Sequence, residues 1–433
     1  MKLPICISIL AFAASAHADD ASKRRVSMSD AIELAQSKNP DLAAAKDAVN
    51  SAEAHRAGLS AKRLPQLSVE TNVNIFYEPY KLDFGGTLFT LYEQVTTVSG
   101  ARISQPLTGL AYLSELVGAA NHEAKAVRAD YDRARLDSAY NTADAFLRVL
   151  EARAAADVAR RSVADIASEL DQALKLRQAD TLTNIDVLRL QSRRAAADQA
   201  AVRADTTSQV AIAQLAVTIG LREGEPLDLI DDLPATPPPL AMTLEQAQSR
   251  ALTARPELRA AGERIAAARD LVISRRDEYL PDLHAVAVYS HNTGVQPFQP
   301  ANAGFLGLQL SWNVWDWGAR HAAVQEAEST QTRAHLTANA LADHVRFDVR
   351  RRWLEAKATF DNLASAQTQL QSAEEAFRLQ RVKFDAAAAT TTDVLDAETD
   401  VARARLQSAL ARYDYYLDLV ALARAVGDIP SVK

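Results

Sequence analysis

Residues 384–398 read FDAAAATTTDVLDAE, and residues 177–191 read RQADTLTNIDVLRLQ, a fainter copy of the same phrase. Each lies near the middle of a stretch without glycine or proline, Ala119 to Ile219 and Ala319 to Val426. Both stretches are alanine-rich, charged in both signs and helix-favouring throughout. At about 1.5 Å of rise per residue, one helix of that length would measure about 150 Å, far beyond a compact domain. Folding each stretch back once removes the difficulty, with turns expected at residues 179–183 and 386–390. The restarts read Thr-x-x-Asp: Thr183 with Asp186, and Thr390 with Asp393. That is the spacing of a capping box, in which the threonine caps the new helix and the aspartate reaches back to it. Thr183 and Thr390 are therefore the expected helix-tip caps. The chain should carry two long helical hairpins, at about 111–220 and 318–426.

Outward from the hairpins, the sequence repeats itself. SMSDAIELAQSKNPDL from Ser27 is answered by TLEQAQSRALTARPEL from Thr243. Pro40 matches Pro256, Leu42 matches Leu258 and Leu64-Pro65 matches Leu280-Pro281, all at an offset of 216. Asp186-Val187-Leu188 matches Asp393-Val394-Leu395, and Gly220 matches Gly427, at an offset of 207. An ordered series of matches over two hundred residues is an internal duplication. The nine-residue difference between the offsets falls between Pro65 and the first long helix. The expected repeats are 19–220 and 243–433, joined by a linker at 221–242 that PATPPPL stiffens.

Between the short helices and the hairpins the period changes to two. Leu67, Val69, Val73, Ile75 and Tyr77 alternate with Ser68, Glu70, Asn72 and Asn74; Leu306, Leu308, Leu310, Trp312 and Val314 alternate with Gly307, Gln309, Ser311 and Asn313. This predicts strands at about 66–78 and 304–315, with less regular partners at about 95–106 and 282–291. Glu78 to Gln94 and Asn292 to Gly304, rich in Gly, Pro, Asn and aromatics, read as loops. A half-buried sheet of a soluble domain would alternate in the same way. Strand length and aromatics gathered at the strand end instead favour a tilted membrane strand. Trp312, Trp315 and Trp317, three of the four tryptophans, sit where strand hands over to helix, the place of an interfacial aromatic girdle. Four strands cannot close a barrel, for which about eight is the minimum. Membrane-spanning strands here would require several chains to share one barrel.

The totals agree with an exported protein. Lys2, the apolar run Leu3 to Ala14 and Ala16-His17-Ala18 form a signal-peptide pattern, so 1–18 is expected to be removed after Ala18. The one cysteine, Cys6, lies inside it and comes too early for a lipoprotein signal, so the mature chain has no thiol for disulfides, metal sites or nucleophilic catalysis. Beyond residue 18 no run of eighteen apolar residues offers a transmembrane helix. A formal charge of −7 argues against nucleic acid or an anionic membrane surface as the main partner. The last helix carries a 3-4 stripe of Leu395, Ala402, Leu406, Leu410, Tyr413, Leu417 and Val420, read as packing for neighbouring helices.

The duplicated order of helix, two strands and long hairpin resembles the TolC-like outer membrane efflux proteins. DVLDAE near one tip, the closing LARAVGD, the paired openings and WNVWDWGARHAAVQEAE at the strand-to-helix junction carry the resemblance, which covers nearly the whole mature chain. It implies an α+β membrane protein in which a homotrimer pools four strands per chain into a twelve-stranded barrel in outer membrane lipid. A long α-helical barrel continues it into the periplasm. The implied role is a passive export channel of a tripartite efflux or type I secretion system, fed by an inner-membrane transporter through a periplasmic adaptor, with no catalysis and no cofactor. The turns at 179–183 and 386–390 become periplasmic tips, with Asp186, Asp393 and Asp396 at the pore entrance. Threefold repetition of Asp393 and Asp396 would ring a narrow mouth with carboxylates; an aspartate in a first helical turn also serves simply as a cap. The first repeat has Arg189 where the second has Asp396. This sequence departs from the family at the tips. Asp180 and Ala387 stand where glycine is usual, and Phe384 and Ala389 stand where some members carry a latching tyrosine and arginine.

Two other classes fit the sequence less well. An enzyme would need a nucleophile elbow, a HExxH pair, a phosphate loop or a carboxylate–histidine cluster, and none is present. His335 and His344, nine apart, do not share a helix face at metal-ligand spacing, so no metal site is expected. A periplasmic coiled-coil scaffold or adaptor that forms no pore would keep the helices but leave the strand pairs and tryptophans without a role.

Overall fold

The computed structural model describes residues 24–221, 227–295, 299–386 and 388–430. The expected signal peptide with Ala18 and Cys6, and Ala387 at the second tip, lie outside them. In chain order the elements are β1 (Arg24–Val26), α1 (Met28–Lys38), α2 (Pro40–Ala61), β2 (Gln66–Ile75), β3 (Tyr80–Phe84), β4 (Thr87–Tyr92), β5 (Val95–Pro106), α3 (Leu110–Gln178) and α4 (Asn184–Thr218) in the first half. The second half has β6 (Leu227–Leu229), α5 (Leu244–Ala254), α6 (Pro256–Asp277), β7 (Asp282–Thr293), β8 (Asn302–Ser311), α7 (Ala319–Asp385) and α8 (Thr391–Val426).

The local chemistry sets these bounds. Ser27 with Asp30 and Thr243 with Gln246 form capping boxes at the starts of α1 and α5. Pro40 and Pro256 open α2 and α6 at the position where a missing N–H costs nothing. Gly220 and Gly427 end the hairpins with positive φ of 73° and 89°. Both are pressed against the end of the short helix of their own repeat: a Cβ on Gly220 would stand 2.9 Å from the Lys38 carbonyl oxygen, and one on Gly427 3.1 Å from the Ala254 carbonyl carbon. The hairpin end and the short helix are thus fixed together in the same way twice.

One four-stranded sheet, in the order β2-β5-β7-β8, joins the repeats, with every neighbouring pair antiparallel. The first loop, read as irregular, instead holds the β3–β4 hairpin, and these residues account for the extra length of the first repeat. The second outer strand stops at Ser311, which pairs with Asp282. Trp312 and Val314, read as continuing the alternation, therefore lie beyond it. The reason is the partner: β7 starts just after Pro281, which has no N–H to give, and the Trp312 indole Nε1–H donates to the Tyr279 carbonyl at 3.2 Å instead. β2 likewise stops at Ile75, whose partner Val95 is the first residue of β5.

Helices α3 and α7 are about 100 Å long by their residue count. α3 packs along α4, α6, α2 and α8; α7 packs along α8 and α6. Within the hairpin layer the order is therefore α4-α3-α8-α7. The linker is not a free spacer. Its β6 pairs in parallel with β1, and it is strapped to α8 by Tyr415 and Tyr416, whose hydroxyls donate to the carbonyls of Pro238 at 2.6 Å and Pro234 at 2.7 Å. The buried side of α8 differs from the expected stripe. Tyr413 and Val420 are buried, but Val394, Glu398, Val401 and Ala404 lie deepest near the tip, while Leu395, Ala402, Leu406, Leu410 and Leu417 are only half-buried. α8 is flanked by both α3 and α7, and the deeper face runs through a charged residue.

Candidate functional site at the hairpin tips

The first tip is a Schellman turn followed by a capping box. The Asp180 N–H donates to the Arg177 carbonyl at 3.0 Å and the Thr181 N–H to the Leu176 carbonyl at 2.9 Å, with Asp180 left-handed at φ 54°. Aspartate is among the few non-glycine residues that enter this region at modest cost. At the second tip the Ala388 N–H makes the matching bond to the Lys383 carbonyl at 2.7 Å.

Both restarts are closed reciprocally. Asp186 Oδ2 accepts from the Thr183 backbone at 3.2 Å and hydroxyl at 2.6 Å, and the Asp186 N–H donates back to Thr183 Oγ1 at 3.4 Å. Asp393 Oδ2 accepts from the Thr390 backbone at 2.9 Å and hydroxyl at 2.7 Å, and its own N–H donates back at 3.2 Å. These hydrogen bonds, the threonine hydroxyl's above all, hold both carboxyls below the usual carboxylate range. Asp396 differs. It is exposed one turn into α8 and has no hydrogen bond or ion pair among the described residues. Arg189 reaches from α4 to the Thr392 hydroxyl at 3.4 Å, so the two tips touch and a cation from the first repeat sits beside the acidic start of the second.

Beneath the tips lies an apolar cluster of Leu170, Val187, Leu190, Phe377, Phe384 and Val394 with their neighbours. Phe384 is buried in it and seals the second hairpin from within. Two carboxylates are buried in the same layer, and the sequence reading missed both. Glu169 follows Ile166 and precedes Leu170 and Ala173 on the buried face of α3; Glu398 lies between Val394 and Val401 on that of α8. A glutamate interrupting a 3-4 apolar stripe was the available signal.

At the other end of the chain, one face of the sheet is apolar. Leu67, Val69, Val73 and Ile75 of β2 share it with Leu306, Leu308 and Leu310 of β8, and all of them are exposed. The opposite face carries Ser68, Glu70, Asn72, Arg102 and Gln309, with the Arg102 guanidinium donating to the Gln309 side chain at 2.5 Å. An exposed apolar face this wide is suited to lipid. Trp312, Trp315 and Trp317 follow at the strand-to-helix elbow, where Trp315 and Trp317 meet edge to face at 5.8 Å. Asp316 and Arg320 hold the elbow: Asp316 accepts from the backbone of Gly318 at 3.1 Å and Arg320 at 3.3 Å, and Arg320 donates to the Asn313 carbonyl at 2.6 Å. Among the described residues no helix is long and apolar enough to cross a membrane, and no group of three or more ligating side chains could hold a metal ion.

A lipid-suited sheet prolonged by long helical hairpins defines the class as a β-sheet membrane protein with a helical extension. The chain belongs to the outer membrane efflux protein family, whose model matches residues 31–221 and 247–428, almost the whole of both repeats. It is 22% identical over 352 residues to the outer membrane efflux protein BepC of Brucella suis biovar 1 (strain 1330), covering 80% of this chain and 75% of that one. Its fold matches that of the outer-membrane channel OprN with a TM-score of 0.80 at 20% identity, covering 93% of this chain and 91% of that one. VceC of Vibrio cholerae matches with a TM-score of 0.77 at 17% identity, covering 93% and 96%. The protein is accordingly an outer membrane efflux protein that extends into the periplasm, in a family of channels rather than enzymes.

Proposed function

We propose that three copies of this chain form a passive export duct, a twelve-stranded barrel continued by a periplasmic helical tube. The observation that carries this is the pair of open sides. Among the described residues β2 and β8 each have one strand neighbour, so the four-stranded sheet presents two unpaired edges. The hairpin layer ends in α4 on one side and α7 on the other. Lipid supplies no hydrogen bonds, so an unpaired edge is not tolerated within a bilayer, and pairing β2 of one copy with β8 of the next removes it. The same rotation brings α4 against α7. In this reading Trp312, Trp315 and Trp317 mark the inner interface of the membrane. The tips receive substrate from an inner-membrane transporter through a periplasmic adaptor, and Asp396 with Asp393 lines the mouth. Asp186 and Asp393 also serve as caps.

The test is single-channel conductance of the detergent-purified protein in planar bilayers, for wild type and Asp393→Asn/Asp396→Asn. A detergent-stable trimer with a small cation-selective conductance, less selective in the double mutant, is expected. Conductance unchanged by the mutant keeps the duct, leaves Asp393 as a cap only and removes Asp396 from the mouth. Absence of both pore and trimer overturns the duct and leaves the periplasmic scaffold.

A further inference from the structure

We propose that Glu169 and Glu398, buried where α3 packs on α8, latch the two hairpins together, and that the latch loosens as Glu169 loses its proton. This deepens the duct reading, because it takes the tips to be the entrance that opens. The geometry singles out this seam. Within one chain the hairpins meet chiefly through α3 on α8, so any movement of one against the other must shear that contact. Both glutamates lie on it, with side chains 3% and 1% exposed. Charged carboxylates in such places are costly unless they are fully paired.

They are paired unequally. Glu398 accepts from the Ser162 hydroxyl of α3 at 2.5 Å and from Arg193 of α4 at 3.4 Å. Among the described residues Glu169 Oε1 has no hydrogen-bond partner, and the half-exposed Arg381 of α7 stands 3.5 Å from it. The remaining charges facing the pair come from every helix around it. Asp165 of α3 is neutralised by Arg405 of α8 at 2.8 Å, which also reaches Glu374 of α7 at 3.2 Å, and Asp385 closes α7 below. Burial pushes the Glu169 carboxyl up to about 7; the Arg381 charge opposes this, and Asp165, Glu398 and Asp385 add to it.

The sign follows by linkage. A carboxyl raised in the packed state binds its proton more tightly there than in water. The packed seam is therefore at full strength below the ordinary value of 4.5 and weakens as pH rises through about 7. An open state that returns Glu169 to water gains by releasing the proton to the periplasmic solvent. The linkage predicts an open-to-closed ratio roughly tenfold higher at pH 8 than at pH 6. The acidic arrangement thus holds the tips shut and the neutral one frees them.

The experiment is single-channel recording of full-length protein in planar bilayers at pH 6 and pH 8, for wild type, Glu169→Gln and the exposed control Glu374→Gln. In parallel, spin labels at Lys175→Cys of α3 and Arg403→Cys of α8 report the seam by distance in the same variants. The expected result is opening and label separation that rise with pH in wild type and Glu374→Gln, while Glu169→Gln stays flat at the low-pH level. A wild-type profile that is flat, or one that Glu169→Gln retains in full, overturns the latch while channels still conduct. If no variant conducts, the duct reading fails on its own, and the labels decide the seam: a pH-dependent distance lost in Glu169→Gln upholds it, and any other outcome sinks it.

Discussion

Asp393 and Asp396 are three residues apart on one helix, yet only one is committed. Asp393 spends an oxygen on the Thr390 backbone and hydroxyl, whereas Asp396 is unpaired among the described residues. The cap therefore has a separable energetic signature. Thr390→Ala removes the hydroxyl that accepts from the Asp393 N–H and should destabilise the start of α8 by about 1 kcal/mol. Hydrogen exchange should quicken for the amides of residues 391–394 and stay unchanged at the first tip. Equal protection in the variant would mean the tip is held by its apolar cluster alone. Because Thr390 holds the Asp393 carboxyl low, the cap keeps its full strength at neutral pH and is lost only as pH falls through that depressed value. The Thr-x-x-Asp spacing made both caps legible. Asp180 was not: a left-handed aspartate follows from where the chain must turn, and no residue pattern marks it.

At the scale of elements, period and punctuation placed the hairpins and the inner strands, and what escaped depends on partners. Nothing in Trp312 itself ends β8. The strand ends because its partner β7, about thirty residues earlier in the chain, begins just beyond Pro281, which no rule local to Trp312 can show. Glu398 escaped because a stripe scored on apolar residues skips the one position where a charge is buried. β1 and β6 are three residues each and become strands only by meeting one another. The tryptophan elbow gives the test belonging to this scale. Trp312, Trp315 and Trp317 lie just past the apolar sheet, whereas Trp353 is half-buried among helices and donates to the Met242 carbonyl at 3.0 Å. In vesicles, single-tryptophan variants retaining Trp312, Trp315 or Trp317 should be quenched most by bromine or spin labels near the headgroups. The variant retaining Trp353 should be quenched little at any depth. Strong quenching of the elbow tryptophans by labels at the bilayer centre would remove the girdle and move the membrane along the chain.

For the whole molecule, the question is what covers the outer helices. α4 exposes Leu188, Val202, Val210 and Val217, and α7 exposes Leu336, Phe347, Leu354 and Leu379. The intervals are near multiples of a helical turn, so each set forms one stripe, and the two stripes lie on the outer helices of the layer. A chain folded for solution alone would not leave both sides apolar over this length. Seating α4 of one copy against α7 of the next would bury the α4 stripe and the part of the α7 stripe level with it, Leu354 and Leu379, while the sheet edges would pair above them. Val202→Lys together with Val210→Lys is then the direct probe. Each ammonium would be buried without a partner at every contact, at a cost of several kcal/mol per site, while the fold of one chain, which leaves both positions exposed, should be unaffected. Native mass in detergent should fall from three chains to one with helix content unchanged. A trimer that survives the double substitution would mean that α4 does not face a neighbouring copy, and the tube would have to close along some other pair of helices.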